Sequence, residues 1–471
     1  MKSWGDPTLL IAIVLAFVVP TFVAIAAGIA FGYDEAVYAQ LTRHWLTGAP
    51  ASGWDLHRPP GLSVLAIVPQ VVAPGTEWAQ RLIGAAAGVA VIVTGWWAAR
   101  AVGGPLAGVI AAVALAAAAP LQVESASFLT DVPSSIVLLL LAVLMWRHIG
   151  GPVPIGGSFA WLGLLAAAAF YLRYGAVIEV AGLAVASAAV APRKLAAGWR
   201  HVAAAITLFL VALVPHIAIA IVETGTPWGI LASAGRAAGG GDGLPLLSYL
   251  GWFPWALIGP LGAAVALAGI LAAIRHPVGF ARFVGVAALV PIAVLGTLVH
   301  AEARYLLFPM ILLVVLGSVE IAGHLERRER GRALSLALAG VAVACLVLAG
   351  ATTGAEIRTR AENFDWKRDV GLDIGGGAGA PRNPDCSILT ADVPILSWYS
   401  GCHAVNFLSG GGPDRIALMT GSQRFIVVRA DGHLQPSPAA VEELVHGAEV
   451  WGRYDDALGR PAATVYRLPE P

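Results

Sequence analysis

The stretch from Phe31 to Gly61, FGYDEAVYAQLTRHWLTGAPASGWDLHRPPG, gathers Asp34, Glu35, Arg43, His44, Asp55, His57 and Arg58 into one polar segment. It follows a long apolar run and precedes several hundred mostly apolar residues. Charges beside hydrocarbon are costly, so a cluster of them marks a functional site by default. Asp34 and Tyr38 are four residues apart and would share one side of a helix lying along the membrane. Asp131, in FLTDVP, is a second carboxylate close to an apolar run. Two carboxylates on two loops beside membrane spans are what acid/base chemistry at a membrane surface needs. Plainer roles stay open: Asp34 and Glu35 as acids at the positive end of a helix, Asp131 as the cap of a span with Pro133 just inside it.

Cations accompany these acids. Pro59, Pro60 and Gly61 stiffen the chain after His57 and Arg58, and a fixed guanidinium donates bidentately to a phosphate oxygen. Arg81 in TEWAQRL, Arg173 beside Tyr174, and Arg304 with Tyr305 in HAEARY extend the set. Each could instead snorkel to lipid head groups, and Arg304 could pair with Glu302. Together they suit a lipid-linked phosphate, because cations near a leaving phosphate stabilise the charge that builds as its bond breaks.

These residues need a membrane to stand beside. Of the 471 residues, 58% are hydrophobic and only 12% charged, against about 25% charged in a soluble domain. A span takes roughly 20 apolar residues. The first, 8–31, reads as an anchor more than a cleaved signal. The run 61–75, broken by Pro69 and Pro74, reads as a segment dipping into the interface. Further spans fall at 79–99, 104–120, 133–146, two short ones within 158–191 turning near Arg173, 202–222, 247–274, 283–299, 306–323 and 333–352. Lys2, Arg100, Arg147, Arg193, Lys194, Arg200, Arg275 and the ERRERGR cluster at 326–332 all fall on one side. The positive-inside rule makes that side cytoplasmic. Eleven spans then place the loops bearing Asp34, Asp131, Arg173 and Arg304, and the C-terminus, outside.

The expected fold class is mostly α, a polytopic transmembrane bundle over 1–352 with a small extracytoplasmic α/β domain over 353–471. The tail has strand-like runs at SILTADV, RFIVVRA and ATVYRL and a polar helix near 438–446. Cys345 reads as a small hydrophobe. Cys386 and Cys402 are candidates for a disulfide in an outward domain. Walker, HExxH, GxSxG and CxxC patterns are absent. A transporter or lipid flippase is the competing class. Against it, the spans are nearly free of charge at mid-depth and show no internal repeat. A third reading is a scaffold whose tail binds cell-wall glycan.

The order DEAVYAQLTRHWLTG, HRPPGLSVLAIVP, GTEWAQRL, FLTDVP and EARYLLFPMILLVVL resembles the GT-C glycosyltransferases. Within them it is most similar to the dolichyl-phosphate-mannose protein mannosyltransferases and the bacterial aminoarabinose lipid A transferases. The resemblance covers roughly residues 1–350. It implies transfer of one sugar from a polyprenyl-phosphate carrier to a lipid, protein or glycan acceptor at the plasma membrane, with inversion and without nucleic acid. It makes Asp34 the base, with Glu35 and Asp131 in support. Arg58, where many relatives have Lys, would meet the donor phosphate together with His57, Arg81, Arg173, Arg304 and Tyr305. No cofactor is implied. A divalent metal is not expected here, although oligosaccharyltransferases of the same fold use one.

Overall fold

The computed structural model describes residues 7–152, 154–237, 245–297, 302–327, 332–375, 385–407 and 414–469. In chain order the helices are α1 (Pro7–Ala26), α2 (Tyr33–Thr47), α3 (Gly61–Leu65), α4 (Ile67–Val72), α5 (Glu77–Ala116), α6 (Ala119–Ser125) and α7 (Asp131–Gly150). Then come α8 (Leu162–Leu172), α9 (Ala176–Val190), α10 (Pro192–Ala197), α11 (Trp199–Thr224), α12 (Gly229–Ala237), α13 (Pro245–Leu250) and α14 (Trp252–Arg275). The last are α15 (Gly279–Gly296), α16 (Leu307–Arg327), α17 (Arg332–Ile374), α18 (Val393–Ser400), α19 (Asp414–Ala417) and α20 (Pro438–Leu444). Five strands lie in the tail: β1 (Cys386–Thr390), β2 (His403–Asn406), β3 (Gln423–Arg429), β4 (Glu449–Asp455) and β5 (Pro461–Arg467).

The chain forms two compact units. One holds residues 1–23, 56–62 and 83–354, the other 24–55, 63–82 and 355–471. Among the described residues, eight helices are long and apolar enough to cross a membrane, and α8 and α9 are shorter apolar helices. This is a multi-pass membrane protein. The element α5 is two helices broken at Gly104, where φ is 83° and Pro105 follows. A Cβ on Gly95 would lie 2.6 Å from Leu115. In a straight helix those residues would be about 30 Å apart, so the second arm folds back on the first. With α5 counted as two arms and with α8 and α9, the spans match the eleven expected.

Small residues let the helices of the first unit approach closely. The α14–α16 crossing is the tightest case: a Cβ on Gly269 would lie 2.2 Å from the Leu313 carbonyl, and one on Gly317 1.8 Å from that of Val265. The interfacial run 61–75 forms α3 and α4, two short helices, as its prolines imply. The last span differs from expectation. The apolar run ends at 352, but α17 runs on to Ile374. Hydropathy falls after Gly354, yet AEIRTRAENFDWKRDV carries no helix breaker, so the helix outlasts its apolar part.

In the second unit the sheet order is β2-β1-β3-β5-β4. The β1 strand runs parallel to β2 and β3, with Ile388 beside Ala404 and Phe425, while β5 is antiparallel to β3 and β4. Its core packs Ile388, Phe425, Val427 and Val465 against Trp366 and Val370 of α17 and Leu396 of α18. Cys386 and Cys402 form the disulfide considered above, with Cα atoms 4.9 Å apart. It closes a 16-residue separation around α18, which the chain-entropy account values at about 3 kcal/mol. A Cys386→Ser/Cys402→Ser double variant should therefore unfold at lower temperature, read by near-ultraviolet circular dichroism of the purified protein. An unchanged midpoint would remove the disulfide from the stability of this unit.

Candidate active site

In the first unit the predicted Asp131, Arg173, Arg304 and Tyr305 converge. The sequence positions them through breaks in helices. Asp131 opens α7 and is 3% exposed. Arg173 ends α8 in an extended conformation (φ −156°, ψ 118°), and the chain restarts as α9 with Glu179 in its first turn. Arg304 and Tyr305 lie in the short turn of 3₁₀ helix that leads into α16. The Arg173 Nε is 3.6 Å from Asp131 Oδ1, and its Nη1 is 3.7 Å from Glu179 Oε1. Arg304 Nη1 is 4.0 Å from Asp131 Oδ2, and its Nε pairs with Glu302. The Arg173 guanidinium also stacks 4.6 Å over the Tyr305 ring.

Exposure in this cluster is graded by charge. The acid side chains of Asp131 and Glu179 are 4% and 1% exposed, whereas Arg173 and Arg304 are 12% and 28% exposed. The arginine side chains are the more exposed members of the cluster. Asp131 thus holds two cations, which gives it a positioning task within the supporting role expected of it. Glu179 was not among the expected site residues. Its signal was its place as the only other charge in the apolar run 158–191.

The segment carrying His57 and Arg58, both half-buried, is tied to the Arg173 turn at both ends. The Tyr174 hydroxyl donates to the Leu56 carbonyl at 3.4 Å. At the other end Gly61 packs on Tyr171 so closely that a Cβ would lie 2.4 Å from its carbonyl oxygen. The Pro-Pro step fixes the chain between these ties. Behind the turn, Phe170 and Tyr174 each lie with ring centroids 4.9 Å from the buried His216.

Asp34, Glu35 and Arg81 belong to the second unit. Asp34 is half-buried in the first turn of α2. Next to it Glu35 is buried and receives two hydrogen bonds from Arg81, Nε to Oε1 at 2.9 Å and Nη2 to Oε2 at 3.1 Å. Arg81 also donates to the Ile29 carbonyl at 2.7 Å and the Ala30 carbonyl at 3.3 Å. Glu35 Oε2 accepts from the Gly32 N–H at 2.9 Å. Arg81 is 5% exposed, and its donors are committed to the turn before α2. Arg81, expected at the phosphate, here clamps the entry to the Asp34 helix.

Side chains of the tail secure the same turn. The Tyr399 hydroxyl accepts from the Phe31 N–H at 2.7 Å and donates to Glu77. Burial first, then the Glu77 charge, push the Tyr399 pKa well above the ordinary phenol value, so it remains a donor. Asp365 accepts from the Ala30 N–H at 2.8 Å. Arg43 is fully buried and donates to the Trp398 and Ser397 carbonyls at 2.8 and 3.1 Å, capping the C-terminal end of α18. Gln40 donates to the Pro394 carbonyl. None of these contacts was legible beforehand.

No protein-family model and no curated relative matches the sequence. Solved structures do match. ArnT from Cupriavidus metallidurans, bound to undecaprenyl phosphate, aligns over 98% of this chain and 98% of its own, with TM-score 0.70 and 16% identity. The oligosaccharyltransferase AglB from Archaeoglobus fulgidus, in complex with an inhibitory peptide and a dolichol-phosphate, aligns over 90% of this chain and 69% of its own, with TM-score 0.59 and 12% identity. The arabinofuranosyltransferase AftD from Mycobacteria aligns over 99% of this chain and 40% of its own, with TM-score 0.56 and 14% identity. The chain has the fold of the GT-C glycosyltransferases, as the sequence resemblance implied.

The Gly61 contact yields a test. A Gly61→Ala substitution must displace the Tyr171 backbone, at about 1–3 kcal/mol for overpacking. It should shift the Arg58 segment while leaving the second unit intact. Limited proteolysis with mass mapping should show new cleavage confined to 56–62 and 170–176. An unchanged digest would mean that the packing at Gly61 does not hold this segment.

Proposed function

We propose that the protein is a membrane glycosyltransferase that moves a single sugar, with inversion, from a polyprenyl-phosphate carrier to an acceptor outside the cytoplasm. The observation that carries this reading is the graded cluster in the first unit. Buried Asp131 and Glu179 pair with Arg173 and Arg304, whose side chains are more exposed. A guanidinium paired with a carboxylate is held in a fixed orientation. That arrangement is suited to phosphate oxygens. The fold likeness supports the same reading, since the ArnT structure holds undecaprenyl phosphate and the AglB structure a dolichol-phosphate.

In this mechanism Asp34 accepts the proton of an acceptor hydroxyl. The oxygen attacks the anomeric carbon from the face opposite the phosphate. The bond from that carbon to the phosphate oxygen breaks, and its electron pair leaves on the polyprenyl phosphate. Arg58, with His57 beside it, Arg173 and Arg304 stabilise the charge gained by that oxygen, and the proposal gives them this role without a divalent ion. Asp34 stands in the first turn of α2, at the positive end of that helix. Glu35, Arg81 and Tyr399 fix the turn that presents it. The side carrying Arg100, Arg147, Lys194 and Arg275 is assigned to the cytoplasm.

The test uses purified full-length protein and a labelled polyprenyl-phosphate sugar. Wild type should release polyprenyl phosphate as sugar is transferred. Asp34→Asn should slow release by about 10²–10⁴-fold while still binding the donor. A wild-type protein that moves the donor across vesicles without releasing polyprenyl phosphate would establish the flippase class instead. An Asp34→Asn variant of wild-type rate would remove Asp34 as the base.

A further inference from the structure

A cleft of about 400 Å³ opens among α5, α7, α15 and α16, remote from the candidate active site. Its lining is aromatic and aliphatic, with Trp97, Trp146, Phe280 and Phe283 as the large side chains and Arg147 as the charged residue. Arg147 lies 16 residues along α7 from Asp131, about 24 Å at 1.5 Å per residue. The two places therefore occupy opposite ends of one span.

The cleft is built, and small residues make its room. Ala98, Ala101 and Ala142 line it where bulkier residues would fill it. Trp146 packs against Phe280 and Phe283, with ring centroids 5.1 and 5.5 Å apart. A Cβ on Gly150 would lie 2.6 Å from Trp146, so the indole has closed over that glycine. The Arg147 guanidinium lies 5.8 Å from the Trp97 ring. It is exposed, and among the described residues no carboxylate stands within ion-pair distance of it. Other cations share this end of the bundle. Arg282 is in the first turn of α15, next to Phe280 and Phe283, and Lys194 donates to the Gly151 carbonyl just beyond α7.

We propose that this cleft binds one anionic phospholipid, with its phosphate on Arg147 and an acyl chain between Trp97, Trp146 and Phe280. The occupant follows from the lining. An apolar slot between membrane spans excludes water and takes hydrocarbon. An unneutralised cation at its rim, flanked by others of the same sign, selects for negative head groups. A zwitterionic head group would bring its own amine into this positive field, which disfavours it. The paired tryptophans provide the amphipathic rim found where helices meet head groups.

The test is native mass spectrometry of the purified full-length protein titrated with phosphatidylglycerol or phosphatidylethanolamine. Wild type should retain one phosphatidylglycerol saturably, with at least about fivefold preference over phosphatidylethanolamine, the worth of roughly one cation near a lipid surface. Arg147→Gln should lose that preference. Ala101→Leu, which adds three carbons at an exposed residue of the slot, should reduce retention of both lipids. Equal retention of the two lipids by wild type would overturn the proposal. So would wild-type phosphatidylglycerol retention by both variants.

Discussion

The first unit depends on one constraint: charges placed among apolar helices must be partnered. Removing a buried charge from water costs several kcal/mol per ion unless geometry returns it. Asp131 and Glu179 are almost wholly buried, and Arg173 links them at 3.6 and 3.7 Å. The link requires α8 to end at residue 172 and α9 to begin at 176, so that one guanidinium can reach carboxylates from two helices. It also requires the turn before α16 to bring Arg304 to the other oxygen of Asp131. The helix breaks are thus as much a part of the site as the side chains. Four helices, α7, α8, α9 and α16, are linked by one set of ion pairs. Its cations are more exposed to solvent than its acids.

The second unit solves a related problem at the entry to α2. The residues before this helix expose backbone carbonyls and N–H groups that need partners. Arg81 takes the carbonyls of Ile29 and Ala30, Asp365 the N–H of Ala30, Tyr399 that of Phe31, and Glu35 that of Gly32. Farther along, buried Arg43 and Gln40 bond to the carbonyls of α18. The α/β unit therefore has a structural task that its strands do not reveal. It supplies partners that set the conformation at Asp34. This gives Glu35 and Arg81 a physical reason to be buried together.

What could be read from the sequence followed from local physics. The lengths of the apolar runs gave the spans, including the split at Arg173, because a charge cannot sit unpartnered at mid-depth. Arg100 separated the two arms of α5, and Pro69 marked the break in the interfacial segment. Three tail strands were visible as β-branched runs. The rest depended on distant parts of the chain. Strand β2 is only His403–Asn406, and β4 is largely exposed and interrupted by a bulge near Gly452. Helix α17 continues because hydropathy reports depth in the membrane and does not report where a helix stops. Arg81 looked like an open cation because its partner is 46 residues away, and the partner carbonyls of Arg43 lie some 350 residues on.

The central claim is that Asp131 acts by holding Arg173 and Arg304 toward a phosphate. Charge counting and orientation predict opposite effects for its neutral variant. Removing a negative charge beside an anion site should tighten binding if proximity of charge is all that matters. The decisive measurement is the affinity of undecaprenyl phosphate for wild type and for Asp131→Asn, in the same detergent and salt. The account predicts binding weaker by about tenfold or more, the worth of roughly one misaligned charge-assisted hydrogen bond. Equal or tighter binding in the variant would contradict it.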